Sequence, residues 1–333
     1  MKKQRILLLL PLIMYLAACT TPEWGHLQEF PLLATSNQDK AAIQTPLPTT
    51  DPTRTPGVTA ESATPSLPMA ETKTPLADSS PTPTLAPDAW KGLPVVPVVS
   101  AHMIDVYKAG LTAGRDPAHF SKIGDCQNIT TYFLASFDNP KLYRLGAQYA
   151  FLQPTIDHFA GSWSRQSLAV KGGLNVAAAL NPIWADPKQC KSGETPIACE
   201  IRVFNPSIVT VSMEESWSGD LAHYDMYLRR IVEFILSQNI LPILATRAEV
   251  PGNKNSINEI VARVAYDYQV PLWNFGVAAL PLPSYGLTGD GFHLTLAGNF
   301  FDDPGNMKEG WPWRNLTALE AIDAVYRAMS VQP

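Results

Sequence analysis

Hydrophobic positions along the chain follow two periods in turn, and this alternation predicts strands followed by helices. Continuous apolar runs at 208–213 and 240–245 are typical of strands buried on both faces of a parallel sheet. Apolar residues at three- and four-residue steps predict helices at 221–238 and 256–268. The same patterns predict helices at 102–113, 129–135, 145–159 and 317–329, and strands at 120–123, 167–170 and 270–273. We therefore expect an α/β fold with a parallel sheet covered by helices on both faces.

The N-terminus predicts export and a lipid anchor. A basic head at 1–5 precedes an apolar run at 6–16 that is too short to span a bilayer. The run ends in Leu16-Ala17-Ala18-Cys19, which resembles the lipobox of bacterial lipoproteins, where the peptide is cut before a lipidated cysteine. We expect a signal peptide at 1–19, lipidation of Cys19, and a membrane-anchored protein on the bacterial cell surface. An ordinary signal peptide with an incidental cysteine is the alternative.

Residues 20–94 are rich in Pro, Thr, Ser and Ala, and the whole chain has 30 prolines. Too few apolar side chains occur there to offset the entropy of ordering, so we predict a disordered, extended tether. An unstructured leader without a spacing role is the alternative. The folded domain is predicted at 95–333. The formal net charge of −5 does not indicate a nucleic-acid partner.

Cysteine positions and export together predict one disulfide. Cys190 and Cys199 flank a polar segment with Gly and Pro, and an exported protein meets oxidising conditions. Their pairing leaves Cys126 as the odd thiol. The chain shows no metal-ligand spacing and no phosphate-binding glycine loop, so we expect neither a metal nor a cofactor.

Two segments carry candidate chemistry, Ile123-Gly124-Asp125-Cys126-Gln127-Asn128 and Asp290-Gly291-Phe292-His293. They resemble the nucleophile block and the closing Asp-x-x-His block of the SGNH/GDSL hydrolases, with Cys126 in place of the serine. The resemblance runs in order from about residue 120 to residue 298. It implies a flavodoxin-like three-layer α/β/α sandwich and esterase, lipase or carbohydrate-deacetylase chemistry.

The resemblance also implies roles for individual residues. Cys126 would be the nucleophile, His293 the base and Asp290 the acid that orients the base. A thiol beside a histidine can ionise to a good nucleophile, although a small buried cysteine can equally be inert. Asp125 is expected to organise the turn through backbone amides.

The expected oxyanion hole departs from the family pattern. Its donors would be the backbone of Cys126 and Gly172, with Gly173 as a second candidate, and the side chain of Ser216 where the family has asparagine. Losing one such donor costs about 10²–10³ in rate. Glu214 and Glu215 add negative charge there, where they would repel an oxyanion or bind a cationic or hydroxyl-rich ligand. A plain turn at the glycines and a solvated loop at the glutamates are the alternatives.

Two functions therefore compete. One is an acyl or acetyl ester hydrolase, or an acyltransferase, that acts on esters of extracellular carbohydrate, cell wall or lipid. The other is a catalytically degenerate domain of the same fold that binds such material without turning it over.

Overall fold

The computed structural model describes residues 85–214, 220–254 and 256–330. The predictions for the signal peptide, for Cys19 and for residues 20–84 of the tether lie outside the described residues. Glu215 and Ser216 lie outside them as well.

A parallel sheet forms the centre of the domain, and its strands are buried on both faces. Its order is β1-β3-β4-β5, and a second, two-stranded parallel sheet pairs β2 with β6. In register, Phe120 lies opposite Ile208, which lies opposite Leu241. The strands are β1 (Asp116–Gly124), β2 (Tyr143–Arg144), β3 (Pro206–Ser212), β4 (Leu241–Ala245), β5 (Leu272–Trp273) and β6 (Asn299–Phe300).

Helices cover the sheet in two groups. The helices are α1 (Ala101–Thr112), α2 (Gly146–Tyr149), α3 (Gln153–His158), α4 (Pro196–Phe204), α5 (Leu221–Ser237), α6 (Asn258–Asp267), α7 (Phe275–Ala279) and α8 (Gly310–Ser330). Helices α1 and α8 contact each other and the sheet, while α5 and α6 form a second contacting pair against β4. Across the described ranges, no helix combines the length and apolarity needed to cross a bilayer. The predicted α/β fold with a helix-flanked parallel sheet is confirmed.

The regular periodic segments fold as predicted. Every residue of β3 is buried, as expected of a central strand. In α5, Leu228, Ile231 and Ile235 form the buried face, and the Asp220 carboxylate caps the helix by accepting from the His223 N–H.

Three predicted elements differ from the structure. The predicted helix at 129–135 is a set of turns, and Leu134 has a left-handed φ of 63° that stops helical propagation. The predicted helix at 145–159 divides into α2, a 3₁₀ turn and α3, and Pro154 lies at the start of α3. The predicted strand at 167–170 is reduced to one parallel bridge, between Gly124 and Val170. That bridge places residue 170 beside β1, on the side away from β3. If the segment at 167–170 is counted as the second strand of this sheet, the sheet has the 2-1-3-4-5 order of flavodoxin-like folds.

The folded region begins before Val95. Trp90 is only 6% exposed, and the Asn274 side-chain amide donates to the Trp90 carbonyl at 2.8 Å and to the Leu93 carbonyl at 3.2 Å. The tether assigned to 20–94 therefore ends earlier than the sequence predicts, because a buried indole and two backbone carbonyls attach residues 90–93 to the domain.

Candidate active site

The structure brings Cys126, His293 and Asp290 together at the edge where the strands end. The Cys126 sulfur lies 3.8 Å from His293 Nε2, although the two residues are 167 positions apart. His293 Nδ1 lies 2.6 Å from Asp290 Oδ2. His293 thus lies between the Cys126 sulfur and the Asp290 carboxylate, with one ring nitrogen facing each of them.

Asp125 builds the turn that presents Cys126. One of its carboxylate oxygens accepts from the Gln127 N–H at 3.0 Å, and the other accepts from the Glu214 N–H at 2.6 Å. The carboxylate is fully buried, so these bonds hold the 3₁₀ turn Cys126–Asn128 against the end of β3. Cys126 itself is half-buried. Asp125 therefore joins the turn to the end of β3 through two backbone amides.

Gly124 allows the close approach of this turn to β3. A Cβ at this position would lie 2.0 Å from the Asn128 side-chain nitrogen and 2.5 Å from the Ser212 carbonyl oxygen. The same Asn128 nitrogen donates to that carbonyl at 2.8 Å. A side chain at position 124 would separate the turn that carries Cys126 from β3.

Gln127 joins the turn that carries Cys126 to the loop that carries His293, a role that the sequence does not reveal. Its side-chain amide donates to the Phe292 carbonyl at 2.7 Å, and the residue is buried. This bond fixes the backbone immediately before His293 relative to Cys126. Its position within the nucleophile block was the only sequence signal, because its partner is 165 residues away.

Asp290 holds the ring and the backbone of the histidine loop. Besides the ring nitrogen, its carboxylate accepts from the Thr288 hydroxyl at 2.7 Å and from the N–H groups of Phe292 and His293 at 2.9 Å each. The hydrogen bond from the His293 side chain, followed by that from Thr288, holds the pKa of Asp290 well below its usual value. An ionised Asp290 accepts from Nδ1–H and leaves the Nε2 lone pair facing the Cys126 sulfur.

The parallel bridge places Gly172 and Gly173 at the same edge as Cys126. The Gly124 N–H donates to the Ala169 carbonyl at 3.0 Å, and the Lys171 N–H donates to the Gly124 carbonyl at 3.3 Å. Gly172 and Cys126 therefore lie two residues beyond paired positions of parallel segments. Apart from the adjacent residues of the chain, no heavy atom of the described residues lies within 4 Å of a Cβ built at Gly172 or Gly173. The third expected donor, Ser216, lies outside the described residues, as does Glu215.

Glu214 does not project its charge toward an oxyanion, contrary to the expectation from its position after β3. Its carboxylate is buried and lies 2.6 Å from an Arg314 guanidinium nitrogen, while the Ser212 hydroxyl donates to it at 2.9 Å. Arg314 also donates to that hydroxyl at 2.8 Å. Arg314 has no recognisable site motif around it in the sequence, and it lies in α8 rather than in a loop.

Aromatic rings enclose the Arg314 guanidinium, which is fully buried. Its central carbon lies between 5.0 and 6.0 Å from the ring centres of Phe133, Trp273, Phe275 and Trp311. The ion pair and this aromatic shell form the floor beneath the turn that carries Cys126, because Glu214 donates its N–H to Asp125.

The predicted disulfide between Cys190 and Cys199 is confirmed, with a Cα–Cα distance of 5.2 Å. Their sulfurs and a Glu194 oxygen lie within 4.8 Å of one another. Because both sulfurs are consumed in the disulfide, the thiolates that a metal would need are absent from this cluster.

Glu200, next to Cys199 in α4, fastens the segment that leads to Gly172. Its carboxylate accepts from the Leu168 N–H at 2.8 Å, from Arg165 at 3.0 Å and from the Ser121 hydroxyl at 2.5 Å. Helix α4, which carries Cys199 of the disulfide, therefore holds in place the segment that leads to Gly172.

No family model matches the chain, and no curated protein sequence matches it. Several solved structures are similar to it, and three of them follow. A protein assigned to the G-D-S-L family of lipolytic proteins from Desulfitobacterium hafniense DCB-2 has 15% identity and a TM-score of 0.35, over 61% of this chain and 99% of that chain. An acetyl xylan esterase has 11% identity and a TM-score of 0.32, over 64% and 100%. A two-domain esterase active on acetylated mannans, co-crystallised with mannopentaose, has 13% identity and a TM-score of 0.34, over 71% and 56%. The function is therefore inferred from the geometry around Cys126.

Proposed function

We propose that the chain is an ester hydrolase that works through a Cys126-His293-Asp290 triad and a thioester intermediate. The observation that carries the proposal is the contact of 3.8 Å between the Cys126 sulfur and His293 Nε2, together with the 2.6 Å contact from His293 Nδ1 to Asp290. Catalytic contacts of this kind are often long without substrate and shorten when substrate binds.

In the first half-reaction, His293 Nε2 takes the thiol proton and the Cys126 sulfur attacks the ester carbonyl carbon. The carbonyl oxygen becomes an oxyanion that the backbone N–H groups of Cys126 and Gly172 would stabilise. When the carbon–oxygen bond breaks, His293 returns the proton to the leaving alcohol, and the acyl group stays on sulfur.

In the second half-reaction, a water molecule gives a proton to His293 and attacks the thioester carbonyl carbon. The carbon–sulfur bond breaks, the carboxylic acid leaves, and the Cys126 sulfur regains its proton from His293. An alcohol that replaces the water would make the same site an acyltransferase, because a thioester is also a good acyl donor.

We also propose that the site acts on acyl or acetyl esters of extracellular carbohydrate, cell wall or lipid, from a lipid anchor at Cys19. The basic head, the apolar run and the Leu-Ala-Ala-Cys motif support the anchor. The competing function, binding without turnover, is favoured by one observation, the serine at 216 where the resemblance requires an asparagine donor.

The test measures hydrolysis of p-nitrophenyl acetate and the rate of iodoacetamide labelling of Cys126. Hydrolysis should fall by about 10³-fold or more in Cys126→Ala and in His293→Ala. Labelling in the parent protein should be faster than that of an ordinary thiol and should slow in His293→Ala, because the base is lost.

His223→Ala is the matched control, since Asp220 and His223 form an acid–histidine pair of the same sequence spacing at the N-terminal end of α5. It should leave both rates unchanged. If the parent and Cys126→Ser show no hydrolysis, and Cys126 labels like an ordinary thiol, the hydrolase proposal is wrong and the binding function replaces it.

A further inference from the structure

A concave surface lies next to helix α5, on residues that the candidate active site does not use. It is a cleft of about 770 Å³ between residues 175–184 and the outer face of α5, and we call it the α5 cleft. Its lining residues with aromatic or polar side chains are Asn175, Asn181, Trp184, Tyr227, Arg230 and Phe234. None of its described lining residues carries a carboxylate, although the whole chain has a net charge of −5.

One aromatic side chain of the α5 cleft, that of Trp184, is exposed. Trp184 is 36% exposed, and the adjacent Ile183 is 83% exposed, whereas Tyr227 and Phe234 are half-buried. Flat, partly exposed rings offer an apolar face on which a ligand can stack. The pyranose faces of sugars present C–H groups that suit such rings.

The polar groups of the cleft are donors. The side-chain oxygens of Asn175 and Asn181 accept from the backbone amides of Ala178 and Ile183, which fixes the orientation of both amide groups. Their NH₂ groups donate no hydrogen bond within the described part of the chain. Hydroxyl oxygens of a ligand are suitable acceptors for them.

The cleft also carries positive charge. The exposed Arg230 lies 5.3 Å from the Tyr227 ring centre and forms no ion pair with any described residue. The Lys171 ammonium lies 5.3 Å from the Trp184 ring centre. A guanidinium beside a ring matches a carboxylate or phosphate by paired hydrogen bonds while the ring packs against the neighbouring apolar face.

Lys171 connects the cleft to the catalytic edge. Its backbone N–H donates to the Gly124 carbonyl at 3.3 Å, two residues before Cys126, while its side chain reaches the Trp184 ring. Residue 171 also immediately precedes Gly172. Lys171 therefore contacts both the ring at the edge of the cleft and the strand that leads to Cys126.

We propose that the α5 cleft binds a carbohydrate chain that bears anionic groups, carboxylate or phosphate, and presents its ester to Cys126. The rings of Trp184 and Tyr227 stack on the sugar, the asparagine amides bind hydroxyls, and Arg230 and Lys171 bind the anion. This inference deepens the proposed function and rests on it only for the cleavage of the ester.

The first experiment measures binding by isothermal titration to the full chain carrying Cys126→Ala, so that turnover plays no part. The probes are an oligogalacturonate, a glycerol-phosphate oligomer and a neutral cello-oligosaccharide. We expect at least one anionic probe to bind with higher affinity than the neutral one, and the stronger of the two identifies carboxylate or phosphate as the ligand. Binding should weaken as salt increases.

Variants locate the binding. Trp184→Ala and Arg230→Gln should each weaken it by about fivefold to tenfold, because a stacking face or an anion partner is lost. Tyr266→Ala and Lys108→Gln remove an exposed ring and an exposed cation elsewhere and should leave it unchanged. No binding of either anionic probe, equal binding of the neutral probe, or equal loss in the control variants would overturn the proposal.

The second experiment separates the two proposals. Trp184→Ala and Arg230→Gln should raise KM for an acetylated anionic oligosaccharide while leaving hydrolysis of p-nitrophenyl acetate unchanged. If anionic oligosaccharides bind and neither ester is hydrolysed, the cleft proposal holds and the hydrolase proposal fails. If both esters are hydrolysed and the variants change neither KM nor binding, the cleft proposal fails alone.

Discussion

Replacing Glu214 by glutamine is expected to destabilise the domain by about 3 kcal/mol, because it leaves the Arg314 charge buried without its counter-ion. The Arg314 side chain is 0% exposed and the Glu214 side chain 4% exposed, with 2.6 Å between their charged atoms. Two guanidinium nitrogens of Arg314, Nε and Nη1, have no hydrogen-bond partner among the described residues. Glutamine has the size of glutamate and keeps one hydrogen-bond acceptor. The loss of stability therefore measures the contribution of the negative charge of Glu214.

The magnitude follows from the burial. Removing one partner of a buried pair costs about 3–5 kcal/mol, and the aromatic rings around Arg314 compensate only part of this, up to about 2 kcal/mol. For a domain of this size, about 3 kcal/mol lowers Tm by roughly 6–12 °C. Thermal unfolding followed by circular dichroism, with urea unfolding for the free energy, measures both quantities.

Two further variants make the assignment specific. Asp302→Asn removes the acid of a surface pair with Arg144, in which the side chains are 37% and 56% exposed, and should lower the stability far less, because water screens an exposed pair. Arg314→Met combined with Glu214→Gln removes both buried charges and should restore most of the lost stability, because methionine fits among aromatic rings. If Glu214→Gln costs no more than Asp302→Asn, the buried ion pair does not stabilise the floor of the site.

Three other outcomes are expected. Cys19→Ala should release the protein from membrane fractions, and unchanged fractionation would contradict the lipid anchor. A chain truncated to begin at Val95 should lose about 3 kcal/mol in urea unfolding, because the buried Trp90 is removed, whereas a chain beginning at Leu85 should not. Burial lowers the pKa of Lys122 from 10.5 to about 7, so the unfolded chain binds one more proton between those pH values. Stability should therefore rise with pH across that window, and Lys122→Met should flatten the rise.

Local patterns in the sequence determined the sheet, its main helices and the candidate residues. The continuous apolar run at 208–213 and the helical spacing at 221–238 predict β3 and α5 because burial on two faces or on one face leaves a direct imprint on residue order. The pairing of Asp290 with His293 is also local, since three residues of one turn suffice to bring the side chains together. The disulfide was also predictable from local sequence, because Cys190 and Cys199 are separated by only 9 positions.

Only the tertiary structure decided how these parts meet. The contact of Cys126 with His293 and that of Gln127 with the Phe292 carbonyl join segments more than 160 residues apart, which no local period encodes. The sequence around Arg314 does not mark it as a site residue, because its role depends on α8 placing it next to Glu214. The difference is physical: periodicity records which face of an element is buried, whereas the partner of a buried polar group depends on how distant elements pack.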